Sequence, residues 1–238
     1  MRPLSYKNNE DAIYALAIGR FSQLTPKEVR GFLTRFPTQK TYETNGVDNH
    51  ASVISDEKST EIHNLLSNRG ANIWSEITRA IQSYDEKGIA IISYGSPYYP
   101  NGLHNISDSP PLLFVKGNPE ILNHRKPVAI VGTRNPTQIG LKYTRLISEN
   151  LCMDNACIVS GLAIGIDTEA HKAALESQNQ SSRSVIAVMG TSIDKIYPAR
   201  NRKLAEDILA NSGALISELG LGEYAARGSF VRRNRIQA

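Results

Sequence analysis

Four short apolar runs in the second half of the sequence each end in a glycine-rich segment, and these segments hold residue types suited to binding an anion. The runs continue into Val-Gly-Thr-Arg (131–134), Ser-Gly (160–161), Met-Gly-Thr (189–191) and Glu-Leu-Gly (218–220). Glycine lets a backbone approach a ligand closely, and the guanidinium of Arg134 can bind two oxygens of one phosphate. The pattern therefore predicts that these segments form part of a phosphate-binding site.

The spacing of the runs indicates which elements position these residues. VAIVG begins at residue 128, ACIVSG at 156, SVIAVMG at 184 and ALISE at 214, with helix-like segments between them. This period is typical of βαβ units, and continuous Val/Ile-rich runs predict parallel strands that are buried on both faces. Right-handed crossovers place the carboxyl ends of such strands at one edge, where ligands of open α/β sheets bind.

Residues 1–88 have a different, helical pattern. Apolar residues recur at helical spacing in EDAIYALAIGRF, TPKEVRGFLTRF, STEIHNLLSNRG and NIWSEITRAIQSYDEKG. In the third segment we expect Ser59 or Thr60 to cap the helix and Gly70 to end it. The predicted fold class is thus α/β, with a small helical domain (1–88) preceding a Rossmann-like parallel sheet that has helices on both faces (89–238).

Composition and charge narrow the class of protein. Of the 238 residues, 40% are hydrophobic and 21% charged, which predicts a packed core. No apolar stretch approaches the roughly 20 residues that span a bilayer, and the amino terminus makes a poor signal peptide. Cys152 and Cys157 fit neither a zinc site nor a redox pair, so we expect reduced thiols in a cytoplasmic protein. The net charge is +4, and no acidic residue follows Glu223.

Several polar residues near the predicted strand ends allow more than one interpretation. The carboxylates of Asp167, Asp194 and Glu218 could bind metal, perform acid–base chemistry or tie loops by accepting backbone N–H groups. Asp167 is expected to be a helix cap, and Asn201 is expected to cap the helix that follows it. His171 is expected to be packed or to face solvent rather than to act as a base. Dinucleotide, P-loop and nucleophile-elbow motifs do not occur.

Five ordered blocks carry a resemblance to a known family. VAIVGTRNPT, IVSGLAIGIDTEAH, AVMGTSIDKIYPARN, LISELGLG and FVRRNRIQA, together with the upstream IISYGSPYYPNGLHNISDSPPLLFVKGN, resemble the DNA-processing protein DprA (Smf) family over residues 89–238. Two positions depart from the family pattern: Ile164 stands where the family has arginine, and Val231 stands where it has proline.

The resemblance implies a protein that binds single-stranded DNA and loads the RecA recombinase during natural transformation, without catalysis, cofactor or metal. It also implies that the C-terminal part of the sheet is missing after Ala238, together with much of the recombinase contact and the surface for a possible homodimer. The alternative is a Rossmann-like enzyme such as a nucleotide N-glycosidic hydrolase, although the PGGxGTxxE block of such enzymes does not occur.

We expect DNA to be bound by phosphate contacts at the glycine-rich edge and by stacking on an aromatic ring inside the final basic cluster. The candidate DNA- and phosphate-binding residues are Gly132, Thr133, Arg134, Ser160, Gly161, Gly165, Gly190, Thr191, Arg227, Phe230, Arg232, Arg233, Asn234 and Arg235.

Overall fold

The computed structural model describes residues 8–45, 54–67, 72–177 and 184–238. Within these ranges the chain divides into two compact units, residues 8–113 and 114–238. The predicted domain boundary at residue 88 stays a prediction, because spatial compactness does not test which segment folds independently.

The first unit is helical. Its helices are α1 (Glu10–Leu16, continued by a π-helical turn, Ala17–Phe21), α2 (Pro26–Arg35), α3 (Gln39–Asn45), α4 (Asp56–Ser67) and α5 (Asn72–Glu86), followed by strand β1 (Ile89–Ser93). A capping box begins α2, since the Glu28 N–H donates to Thr25 Oγ1 and the Thr25 N–H donates to Glu28 Oε2. The side chains of Tyr14, Phe32 and Ile77 are fully buried in this unit.

Two details of this unit differ from the sequence prediction. No helix was predicted over α3. Helix α4 begins at Asp56, three residues before the predicted cap Ser59, because carboxylates at positions 56 and 57 favour a helix amino terminus there. The predicted stop at Gly70 lies outside the described residues.

The second unit contains the predicted alternation of strands and helices. Its elements are β2 (Leu112–Gly117), β3 (Pro127–Ala129), α6 (Gln138–Met153), β4 (Cys157–Ser160), α7 (Ile166–Glu176), β5 (Val185–Val188), α8 (Arg202–Ala210), β6 (Ala214–Ser217) and α9 (Ser229–Gln237). Among the strands of this unit the order is β2-β6-β5-β4-β3. Strands β3 to β6 are parallel, which confirms the Rossmann-like prediction, and β2 adds an antiparallel neighbour to β6.

Strand β3 corrects the expectation that all four strands are buried. Every residue of β4, β5 and β6 is buried, whereas Pro127 and Ala129 of β3 are exposed. The reason is position: β3 is the edge strand, and its described strand neighbour is β4 alone. Helix α6, which follows β3, also exposes large apolar side chains, namely Ile139, Tyr143, Leu146, Ile147 and Met153.

Helices α6 and α7 are joined through one arginine. Arg145 Nε donates to Glu169 Oε1 at 2.7 Å, and its Nη1 donates to Glu176 Oε2 at 2.6 Å. These bonds raise the pKa of Arg145, the one to Glu176 most strongly. Because both glutamates lie on α7, the arginine fixes α7 against the helix that follows β3.

The two cysteines are free and buried. Burial raises the pKa of Cys157 to about 12, so its thiol is not a nucleophile at neutral pH. In the part of the chain that the structure describes, no helix combines the length and the apolarity that crossing a bilayer requires.

Candidate nucleic-acid interface

The loops that follow β3, β4, β5 and β6 lie at one edge because these strands are parallel. Hydrogen bonds connect the loops into a continuous surface. Ser160 Oγ donates to the carbonyl of Ile130 at 2.5 Å, and the Ile166 N–H donates to the carbonyl of Thr133 at 3.2 Å. Ser217 Oγ donates to the carbonyl of Thr191 at 2.7 Å. Each loop is therefore positioned by its neighbour.

The turn after β3 presents Arg134 to solvent. Thr133 Oγ1 accepts the Asn135 N–H at 3.1 Å, and Thr137 Oγ1 caps α6 by accepting the Gly140 N–H at 3.1 Å. Gly165, at φ +86°, lies against this turn so closely that a Cβ there would be 2.3 Å from the Thr133 carbonyl oxygen. The geometry holds the backbone of the turn while leaving the Arg134 side chain exposed.

Arg233 is buried rather than exposed on a solvated helix face. Its Nη1 donates to the carbonyl of Gly161 at 2.9 Å and to the carbonyl of Val188, at the ends of β4 and β5. Burial lowers the pKa of this guanidinium, and the nearby carboxylate of Asp167 opposes that shift. Arg233 therefore holds α9 against the strand ends, because its guanidinium already donates hydrogen bonds to two carbonyl groups of the protein.

Arg235 is also paired within the protein. Its guanidinium binds Glu218 through two bonds, Nη1 to Oε2 at 2.9 Å and Nη2 to Oε1 at 2.5 Å. Arg232 lies 3.7 Å from the same carboxylate but remains largely exposed, and Arg227 and Asn234 are exposed. Of the predicted basic cluster, Arg227 and Arg232 are the members whose guanidinium groups face solvent.

Phe230 is half-buried between two parts of the loop after β5. Its ring centroid lies 5.5 Å from that of Tyr197, at an interplanar angle of 55°. A second contact is with Gly190, where a Cβ would lie 2.6 Å from Phe230 Cδ1. Gly190 therefore makes room for the ring, and Tyr197, 54% exposed, extends the aromatic surface outward.

A cavity of about 130 Å³ lies beside this aromatic pair. The guanidinium-bearing residues Arg134 and Arg200 and the rings of Tyr197 and Phe230 are among its lining residues. A larger cavity of about 550 Å³ adjoins it and shares Arg134, Phe230 and Arg233. Cations and ring faces at one concave surface are the combination that a single nucleic-acid strand requires.

Two of these lining residues were not predicted. Tyr197 and Arg200 belong to the block KIYPARN, which was recognised but not assigned to binding. Their position in a strand-end loop was the available signal, since the loop after β5 lies at the same edge as the Arg134 turn.

Some predicted polar residues serve the backbone. Ser160 is buried and donates to the neighbouring loop, while Thr191 Oγ1 donates to the carbonyl of Lys195 at 2.6 Å. A Cβ at Gly132 would lie 2.7 Å from Ile166 Cγ1, and one at Gly161 would lie 2.4 Å from Arg233 Nη1. These small residues are explained by close packing beneath the surface.

The residues that allowed several interpretations tie loops together. Asp167 lies in the first turn of α7 and accepts the Gly161 N–H at 3.0 Å, whereas the N-cap position is Gly165. Asn201 occupies the N-cap of α8, yet its Nδ2 donates to the carbonyl of Leu162 at 2.8 Å instead of capping the helix. Asp194 accepts hydrogen bonds from Ser192 and from the Gly222 backbone, which lower its pKa against the opposing effect of burial.

His171 is fully buried, as the packed interpretation expects. Neither ring nitrogen has a hydrogen-bond partner among the described residues. Burial, and secondly the charge of Arg233, lower the pKa of His171 to about 3. The imidazole is therefore neutral and does not reach the surface as a base.

A family model described as DNA recombination-mediator protein A matches residues 90–238, from β1 through α9. The chain belongs to this family. The match confirms the resemblance carried by the five sequence blocks.

The names of curated relatives agree with this family membership. The chain is 40% identical over 164 residues to Protein Smf of Synechocystis, and 34% identical over 171 residues to DNA processing protein DprA of Bacillus subtilis. It is 44% identical over 140 residues to DprA of Streptococcus pneumoniae. The alignments cover 66%, 72% and 59% of this chain but 39%, 56% and 47% of those proteins, so the chain matches about half of their length.

Two solved structures have the same architecture. The X-ray structure of DprA from Streptococcus pneumoniae superposes with a TM-score of 0.68 at 29% identity, covering 97% of this chain and 75% of that one. A structure of DNA processing protein A from Helicobacter pylori, reported for its single-stranded DNA binding mode, gives a TM-score of 0.52 at 33% identity. It covers 58% of this chain and 60% of that one.

Proposed function

We propose that this chain binds single-stranded DNA at the strand-end surface and delivers it to the RecA recombinase during natural transformation. The observation that carries the proposal is the cavity where the cationic side chains of Arg134 and Arg200 meet the rings of Tyr197 and Phe230. The single-stranded DNA binding mode described for the Helicobacter pylori relative supports the same ligand.

Within this proposal the residues of the site, predicted or found in the structure, contact DNA or support the residues that do. Arg134, Arg200, Arg227 and Arg232 contact phosphates, because their guanidinium groups are exposed. Arg233 and Arg235 position α9, and the glycines at 132, 161, 165 and 190 permit close packing beneath the strand. Phe230 and Tyr197 offer faces to bases.

The absence of catalysis is part of the proposal. The carboxylates considered for acid–base work, Asp167, Asp194 and Glu218, each accept bonds from the protein's own groups. The N-glycosidic hydrolase alternative therefore lacks support from these three groups. Partnership with RecA and a possible homodimer rest on the family resemblance, and a cytoplasmic location rests on the two cysteines, which fit neither a zinc site nor a redox pair.

The binding step is tested by titrating the chain against a labelled single strand and a labelled duplex, with nucleoside monophosphates as competitors. We expect single strands to bind more tightly than duplex, and affinity to fall steeply with salt because bound phosphates release counterions. Equal affinity for both DNA forms, salt-independent binding, or efficient competition by a monophosphate would contradict the proposal.

The delivery step needs a separate measurement. RecA loading on an immobilised single strand is followed with and without the chain, and with the Arg134→Ala variant as a matched control. We expect the wild-type chain to accelerate loading more than the variant does. An unchanged loading rate with intact DNA binding would leave the chain a DNA-binding protein without a delivery role.

A further inference from the structure

Tyr224 lies outside the cavity described above and is 85% exposed. The ammonium of Lys195 lies over its ring, with Nζ 4.6 Å from the ring centroid. A cation at this distance is attracted to the face of an aromatic ring. Lys195 itself is exposed, so the pair presents a positive charge and a ring side by side at the surface.

The pair is held in place by hydrogen bonds between its two loops. The Ile193 N–H donates to the carbonyl of Leu219 at 3.0 Å, and Ser192 Oγ lies 2.6 Å from the carbonyl oxygen of Gly220. The Asp194 carboxylate accepts the Gly222 N–H. Three consecutive residues before Lys195 are thus held against the segment before Tyr224. Folding has therefore already ordered the backbone around the pair, and DNA binding costs less conformational entropy there.

The pair also continues the surface proposed to bind DNA. Lys195 is two residues from Tyr197, a distance of at most about 7 Å along the chain. Tyr197 contacts Phe230, whose ring lines the cavity with Arg134. Cationic and aromatic side chains therefore alternate from Arg200 through Tyr197 to Lys195 in the loop after β5, and the ring of Tyr224 in the loop after β6 lies against Lys195.

We propose that Lys195 and Tyr224 form a second nucleotide-binding point on the single strand, beyond the cavity beside Phe230. The free face of Tyr224 stacks with an unpaired base while Lys195 contacts a phosphate of the same strand. This inference rests on the proposed function, and it assigns a longer binding track than the cavity alone provides.

The two side chains have distinguishable effects on binding. With a labelled thymidine oligonucleotide of about 20 nucleotides, Tyr224→Ala should lower affinity about tenfold, the scale of one lost base–ring stack, and leave the salt slope unchanged. Lys195→Ala should reduce the salt slope by about one, because one phosphate contact is lost. Tyr143→Ala, which removes an exposed tyrosine from α6, should change neither quantity.

A fluorescence measurement tests stacking directly. Tryptophan introduced as Tyr224→Trp should be quenched when the oligonucleotide binds, whereas tryptophan introduced as Tyr143→Trp should not. A wild-type chain that binds no single strand would overturn the proposed function. A wild-type chain that binds, with Tyr224→Ala equally tight and Tyr224→Trp unquenched, would overturn this inference and leave the proposed function intact.

Discussion

Replacing Gly165 by alanine should weaken both the stability of the second unit and its binding of DNA. Gly165 has φ +86° and ψ −126°, a region that residues with a Cβ rarely occupy, which costs about 1–3 kcal/mol. The added Cβ would lie 2.3 Å from the carbonyl oxygen of Thr133 and 2.9 Å from Arg134 Cα. Relieving such contacts costs about 1–3 kcal/mol more, so we expect a loss of about 2–6 kcal/mol in the free energy of unfolding.

The same clash should displace the turn that presents Arg134. The measurements are denaturant unfolding and fluorescence anisotropy of a labelled single strand, on wild type and variant. Gly88→Ala is the matched control, because Gly88 also has a positive φ, +63°, but a Cβ there would meet no atom within 4 Å. We expect the control to lose about 1 kcal/mol and to bind DNA normally.

The reasoning would be refuted if Gly165→Ala and Gly88→Ala lost equal stability and retained equal affinity for DNA. That result would mean that the contact between the amino terminus of α7 and the turn after β3 contributes neither to the stability of the folded chain nor to its affinity for DNA. Loss of stability with unchanged affinity would refute only the link between this contact and the position of Arg134.

Three further predictions concern single side chains. Arg134→Ala should weaken single-strand binding by about 1–3 kcal/mol in anisotropy titrations, with an unchanged melting temperature, since its side chain is exposed; an equal loss of stability would show a structural role. Phe230→Leu should keep the packing against Gly190 yet lower affinity for single strands more than for duplex, while Phe230→Trp should bind single strands normally; equal effects on both DNA forms would argue against stacking. Because of His171, the free energy of unfolding should fall as the pH is lowered. The pKa of this residue is lowered from 6.5 to about 3, so between these pH values only the unfolded chain binds the proton. The free energy of unfolding then falls by up to about 1.4 kcal/mol per pH unit. Unfolding midpoints from pH 7 to pH 4 should fall less steeply for His171→Leu, and identical slopes would contradict this assignment.

The parallel strands, and the edge at which the candidate site lies, could be predicted from the sequence for a physical reason. Buried parallel strands require continuous apolar runs, and the runs beginning at 128, 156, 184 and 214 became β3, β4, β5 and β6. Once these strands are parallel, their carboxyl ends meet at one edge, so the turn containing Arg134 had to lie beside the loops after the other strands.

Whether each arginine is exposed, buried or ion-paired could not be predicted in the same way. Arg232, Arg233 and Arg235 are neighbours in sequence, yet one is exposed, one is buried against the carbonyls of Gly161 and Val188, and one pairs with Glu218. Which of them faces solvent depends on how α9 is rotated against the strand ends. That rotation is a property of tertiary packing, and no local pattern in a helix of nine residues encodes it.

The polar residues illustrate the same limit. Asn201 stands at the N-cap of α8, where its residue type favours capping, but its amide is used by the carbonyl of Leu162. The competing acceptor lies 39 residues away in the sequence. Local propensity predicted the position, and a long-range contact decided the bond.

The different states of these arginines have a kinetic consequence. A charge that is exposed attracts a polyanion from a distance, whereas a charge whose field is compensated by a carboxylate or by oriented carbonyls contributes little to the approach. Replacing Arg235, which pairs with Glu218, or Arg233, which donates to carbonyl groups, should therefore leave the association rate nearly unchanged. These two residues should instead affect the dissociation rate of the complex. The speed with which a strand is captured would depend mainly on Arg134, Arg200 and Arg227, because the charge of Arg232 lies 3.7 Å from the Glu218 carboxylate, and this speed would decline first as salt rises.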